Sequence, residues 1–261
     1  VSLGAMSSAS LRRGAARSSR VVVRRGSPRR MSSMVELREE RLHPGAASEW
    51  AAAFQSSALA VRSSQLRTAT LPEVGGVLDV ATTTYSWSGH EERSAYYAAL
   101  AADPLDHSGG RWVAERKSCL YVEPPLVADF GLHGLANAAP PEGASVGGGD
   151  AIYELRRYQL QLGYTTVPRF LELYAGGLPS KLAAPGTDPS SSLVTVLNTE
   201  VGSLNEVIEL WRHGRGTVAM DQSRQAARGA APWREAIGSI AALAVSFTTS
   251  IHRPLPSAPW Q

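Results

Sequence analysis

Cysteine is almost missing from this sequence. Cys119 stands alone, so neither an intramolecular disulfide nor a multi-thiolate metal site can form. Taken by itself it is a small, half-buried strand residue. The six histidines (His43, His90, His107, His133, His213, His252) are scattered with no pair at metal-ligand spacing, so no metal is expected. No nucleophile motif of the G-x-S-x-G kind is present. The triple glycine at 147–149 lacks the Lys-Ser/Thr of a phosphate-cradling loop and precedes a strand, which removes the nucleotide reading. Long apolar runs are missing too. The longest charge-free stretch near the C-terminus, Ala236–Ile251, is about 16 residues and carries Gly, Ser and Thr, short and polar for a bilayer span. The expectation is therefore no catalytic, cofactor-binding or metal-binding residues and no cofactor.

Acidic residues are absent from the N-terminal segment, where basic ones are concentrated. Residues 1–34 hold eight arginines and no Asp or Glu. Acid-free, Ser/Ala-rich and cationic, this segment reads as an organelle transit peptide, with cleavage around Arg30–Met34. A secretory signal needs a continuous apolar core, and Val21-Val22-Val23 is too short. The expected compartment is the mitochondrion (matrix or matrix face of the inner membrane), with the plastid as the alternative. The remaining chain has 18 basic against 23 acidic residues, so the +3 overall charge belongs to the leader. A mildly acidic body makes a poor nucleic-acid binder.

Along the body, 35–124 reads as a first folded unit. A strand at Met34–Leu42 stops at Pro44-Gly45, and Ala46–Val61 carries Trp50, Phe54, Ala58 and Val61 at helical spacing. The polar segment 63–73 is expected to be a loop, followed by a hairpin (Gly76–Ala81, Thr82–Trp87), a helix from His90 to Ala101 and a strand at Lys117–Val122. Residues 125–150 are Pro/Gly-rich and read as a linker laid over the surface through Leu126, Phe130 and Leu132. The second unit, 151–256, opens with a strand at Ile152–Leu162. A helix follows from Thr166 to Ala175, then a loop at 179–192. The hairpin 193–200/205–212 turns at Val201–Leu204. Helices at 217–227 and 232–240, a last strand at 243–252 and a tail at 257–261 complete the chain.

The two units repeat. Val35-Glu36-Leu37-Arg38 opens one and Tyr153-Glu154-Leu155-Arg156 the other. Each hairpin ends in tryptophan, Trp87 and Trp211, and each last strand closes on proline, Pro124 and Pro254. Strand–helix–strand–strand–helix–strand order implies an antiparallel sheet with helices on one face. Glu154 and Arg156 lie two apart on one strand and share a face. Asn205 reads as a turn residue whose amide satisfies the hairpin backbone, and Trp211 as a core anchor.

Glu200, Gly202, Leu204, Asn205, Val207, Trp211 and Arg212, with the Tyr-Glu-Leu-Arg opening and Pro232-Trp233, together resemble the NIPSNAP family signature. The first unit lacks that turn, and the Asp usual before Pro-Trp is here Ala231. The resemblance implies an α+β fold of two tandem ferredoxin-like modules of the dimeric α/β-barrel type, packed sheet to sheet as a pseudo-dimer. It also implies a non-enzymatic interaction or assembly protein, including an accessory subunit of a large mitochondrial complex. Its partners would be proteins, through self-association or a larger assembly, with membrane association only through them. The alternative is a small-molecule enzyme like the cofactor-independent monooxygenases, using the barrel interior. That reading requires Arg156, Asn205 and Trp211 to converge on one cavity.

Overall fold

Alternation of side chains sets the first strand and, with it, the frame of the molecule. In β1 (Met34–Leu42), Val35 and Leu37 enter one apolar cluster while Met34 and Leu42 enter another, on opposite faces. The computed structural model of the chain describes residues 33–56, 64–100, 111–144 and 149–261. The arginine-rich segment up to residue 32 lies outside these, as do the far end of the helix expected to reach Val61 and the Asp103-Pro104 break.

Seven more strands follow: β2 (Leu66–Val74), β3 (Val80–Trp87), β4 (Val113–Val122), β5 (Ile152–Leu160), β6 (Ser191–Val201), β7 (Glu206–His213) and β8 (Ala244–Pro254). They form a closed antiparallel barrel in the order β1-β3-β2-β8-β5-β7-β6-β4. The two halves share one order, β4-β1-β3-β2 and β8-β5-β7-β6. These arcs do more than face each other. They are hydrogen-bonded along both edges, Thr70 pairing with Pro254 and Val122 with Asn198, so one sheet closes on itself and leaves no outer edge strand.

Helices cover the outside: α1 (Ala47–Ser56) and α2 (His90–Leu100) on the first half, α4 (Thr166–Leu182), α5 (Gly216–Gly229) and α6 (Ala231–Ala241) on the second. Beneath α1 and α2 lie Leu66, Tyr85 and Trp87. Beneath the second set, Tyr158, Val207 and Trp211 meet Phe170, Tyr174 and Trp233. Val35, Leu37, Tyr153, Leu155, Ile208 and Leu210 fill the barrel interior.

Three expectations need correction. Of the segment expected as a loop at 63–73, the part from Leu66 onward is strand β2, residue 63 lying outside the described residues, and the hairpin is β2–β3, not 76–87. Its polar residues are buried partners: Thr68 and Thr84 hydroxyls meet at 2.7 Å, and Arg67 Nε donates to the Leu135 carbonyl at 2.9 Å. β-Branched threonine suits such a strand despite its polarity. The expected loop at 179–192 begins later, because α4 runs through Pro179 to Leu182. Leu126, Phe130 and Leu132 of the linker pack on the second outer core, and parts of the linker and tail reach deeper. Leu126 and Val127 of the short α3 (Leu126–Asp129) join the second outer core, and Leu135 and Trp260 are fully buried in the barrel interior.

Candidate functional site

Every second residue of β5 and β7 faces the helices of the second half, and that face carries charge where a core would normally carry hydrocarbon. Glu154, Arg156 and Tyr158 line up on β5, and Val207, Glu209, Trp211 and His213 on β7. Arg156 lies opposite Glu209 in the ladder, and Glu154 opposite Trp211.

Glu209 is completely buried. Its Oε1 accepts from Tyr158 Oη at 2.6 Å and its Oε2 from Trp211 Nε1 at 2.6 Å. Burial alone would raise this carboxyl, but the Lys181 and Arg156 charges outweigh it and hold it below the usual range. Glu154 accepts from Arg156 Nε at 2.7 Å, Arg224 at 2.6 Å and Thr249 Oγ1 at 3.0 Å, with His213 Nε2 at 3.3 Å. Here too burial pushes the carboxyl up, and His213, Arg156 and Arg224 overcome it to hold it far below the ordinary value. Both acids are therefore carboxylates at any physiological pH.

Lys181 is the exception in this paired cluster. Its side chain is 8% exposed, and Nζ is buried with no hydrogen-bond partner. The amine sits 3.7 Å from Glu209 Oε2, beyond hydrogen-bond reach, and 3.9 and 4.3 Å from the ring centres of Trp211 and Trp233. Burial pulls its pKa down to about 7. The Arg156 charge adds to that pull, and the Glu209 charge opposes it. Its position depends on close helix packing: a Cβ at Gly177 would fall 2.6 Å from the Ala236 methyl, so glycine lets α4 reach α6.

Lys181 faces a cavity of about 420 Å³ between the sheet and α5–α6, walled by Trp211, Trp233 and Phe247. An adjoining space of about 330 Å³ shares Arg156, Trp233, Ile237 and Phe247 and continues along β8. This size suits a small organic ligand. A second cavity, about 370 Å³, opens at the barrel mouth beside Leu155, Arg157 and His252. Its main charges are mutually satisfied, Arg157 donating to Glu39 at 2.7 Å and lying 3.5 Å from Glu206. Among the described residues no group of three or more His, Cys, Asp or Glu could hold a metal ion.

The structure brings together Glu154, Arg156, Trp211 and Trp233 of the residues singled out from sequence. Asn205 is elsewhere, at the β6–β7 turn with φ 60°, its Nδ2 donating to the carbonyls of Gln161 at 2.7 Å and Gly163 at 3.1 Å. Glu200 and Leu204 are exposed on that turn. Gly202 has φ 137°, and a Cβ there would meet Cys119 Sγ at 2.7 Å. Arg212 points to the opposite face, donating to the carbonyls of Gln261 and Gly143. Pro232 is exposed in the first turn of α6. The sequence reading missed Lys181, Glu209, His213 and Arg224. Glu209 left a signal, an acid on the same strand face as Val207 and Trp211. Lys181 left one as well, the spacing Phe170, Tyr174, Leu178, Lys181, hidden by ending the helix at Ala175.

The geometry defines a class, an eight-stranded antiparallel α/β barrel with a helix-covered outer cavity. Solved structures share the fold. A protein provisionally assigned as a monooxygenase from Lactobacillus acidophilus matches at TM-score 0.58 and 8% identity, over 85% of this chain and 94% of that one. An anthrone oxidase-like protein matches at TM-score 0.54 and 12% identity, over 86% and 94%. The chain also resembles NIPSNAP family proteins, as its hairpin led us to expect. One from Agrobacterium tumefaciens aligns at 20% identity over 41% of this chain and 88% of its own, with a TM-score of 0.35. No family model matches the chain, and no curated protein does at a significant level.

Proposed function

We propose that this protein is a NIPSNAP-like barrel of two copies of one ferredoxin-like module, whose second copy binds a flat, anionic small molecule between sheet and helices. The observation that carries this reading is Lys181, a buried amine without a hydrogen bond facing a cavity walled by aromatic rings. The lining holds Arg156, Lys181, Arg224, Arg228 and Arg234 against one carboxylate, Glu154, so an incoming anion meets excess positive charge. The arginine-rich leader supports a mitochondrial setting. Oxidation of the bound molecule by dioxygen as the electron acceptor, without a cofactor and in this cavity, not in the barrel interior, is the enzyme form of the same reading.

Trp211 and Trp233 report on occupancy. Titration with 2-naphthoate should quench their fluorescence saturably, at one molecule per chain. The uncharged 2-naphthamide should bind about tenfold more weakly or worse, as expected for loss of a charge-assisted contact. Equal binding of acid and amide, or no saturable quench, would sink the reading.

The interaction-protein reading keeps one observation of its own. Val245 and Phe247 are 68% and 52% exposed on β8, which pairs with β2 only through Ile251–Pro254. If this strip docks a protein partner in a larger assembly, Val245→Asp should release that partner while leaving the melting temperature unchanged.

A further inference from the structure

We propose that Lys181 is a covalent anchor, its Nζ forming an imine with an aldehyde or ketone that carries an anionic group. The inference rests on the binding reading above and names the chemical class of the ligand.

Three observations converge. The first is the choice of residue. The chain has 26 basic residues, and only Lys117 and Lys181 are lysines. Around the cavity every other strong cation is arginine, which keeps its proton at all accessible pH values and has no nucleophilic lone pair. The one position at the back of the cavity, between two indoles, carries the side chain that can lose its proton. The second is position: Lys181 lines the cavity, and its Nζ, buried between Glu209 and the two indoles, makes no hydrogen bond that an incoming carbonyl would have to break. The third is surroundings. Groups facing the amine are Glu209 and Trp211 from β7, Arg156 and Glu154 from β5, and Trp233 from α6. Burial among them leaves a substantial neutral fraction near neutral pH, which is the state that attacks a carbonyl.

The step balances without a redox partner. The Nζ lone pair forms a bond to the carbonyl carbon, and the C=O π pair moves to oxygen, which takes a proton. The resulting carbinolamine loses its hydroxyl as water, with a proton from nitrogen completing that water, and the C=N bond forms. The imine draws on the surroundings already present: the Glu209 carboxylate lies next to the new iminium and stabilises its charge. Arg224, Arg228 and Arg234 are placed at the same cavity to take the ligand's anionic group.

4-Carboxybenzaldehyde with cyanoborohydride tests this on the full chain. Cyanoborohydride reduces an imine to a stable secondary amine, and peptide mass mapping then locates it. Lys117, 49% exposed and 3.8 Å from Glu39, serves as the internal comparison. At pH 7 we expect labelling of Lys181 to exceed that of Lys117 about tenfold or more, since each unit of pKa changes the neutral fraction tenfold. Terephthalate, which binds without a carbonyl, should protect Lys181 and not Lys117. Lys181→Arg should lose the cavity label, while Lys117→Arg should leave the label on Lys181 in place. Terephthalate binding with Lys181 unlabelled, or labelled no faster than Lys117, overturns the imine and leaves the binding reading standing. No binding of terephthalate and no label at Lys181 overturns both.

Discussion

Glu36 and Glu154 hold the same place in the two halves, and their surroundings diverge one residue at a time. Each is buried on the helix-facing side of its first strand. Each accepts from a helix arginine, Arg93 or Arg224, and from a hydroxyl on the fourth strand, Ser118 or Thr249. Ladder register then shows where they part. Glu36 lies opposite Tyr85, and Glu154 opposite Trp211. Trp87 therefore corresponds to His213, not to Trp211, which the matched hairpin ends had suggested. Arg38 faces Thr83 where Arg156 faces Glu209. In the first half the Trp87 indole donates to Glu36 at 3.0 Å and packs on Tyr96 and Tyr97. In the second, the smaller imidazole of His213 takes that position and lines a cavity. One frame is thus filled with aromatic bulk in one half and lines a cavity in the other.

The largest effect that could break this comparison is a dependence on alkali found in the second half alone. Folded Lys181 gives up its proton near pH 7, whereas in the unfolded chain it holds it to its ordinary value of 10.5. Between those values the unfolded state binds more protons, so stability contributed at this site rises with pH. Measured as wild type minus Lys181→Met in urea, the difference should grow by about 3–5 kcal/mol from pH 7 to pH 10.5. A flat difference would mean that the amine is solvated, and the contrast between halves would lose its chief element.

A middle-sized effect compares the two carboxylates directly. Glu154→Gln leaves Arg156 and Arg224 short of a counter-charge and should cost about 3 kcal/mol, while Glu36→Gln, with one arginine bound, should cost about half that. Equal shifts in the urea midpoint would show that the second arginine contributes nothing. The smallest effect concerns the turn. Asn205→Ala removes two donated hydrogen bonds and puts alanine at φ 60°, costing about 1 kcal/mol, with naphthoate affinity unchanged. A loss of affinity would place the turn in the site after all.

How much of this was legible before the structure can be seen residue by residue. The β6–β7 hairpin, the shared strand face of Glu154 and Arg156, the core position of Trp211 and the repeated strand–helix order followed from periodicity and matched motifs; that Glu154, Arg156 and Trp211 face the helices and not the barrel interior did not. β2 did not, because Arg67, Thr68 and Thr70 look like loop residues until their buried partners on other strands are known. Lys181 was hidden because the expected helix ends at Ala175, whereas α4 runs on through Gly176, Gly177 and Pro179 to Leu182. The barrel's closure was not legible at all in detail, since no local pattern encodes which strand edges meet.

That closure also has a kinetic side. The β2–β8 seam joins Thr70 to Pro254, among the most widely separated pairings in the chain. Loops of this length make such contacts slow to form, so β2 has to wait for the last strand to be available. Until then it presents an unpaired, threonine-rich edge, the kind of surface that recruits stray strands. The same ring that closes both edges of the folded barrel thus leaves β2 unpaired on that side until β8 has been made.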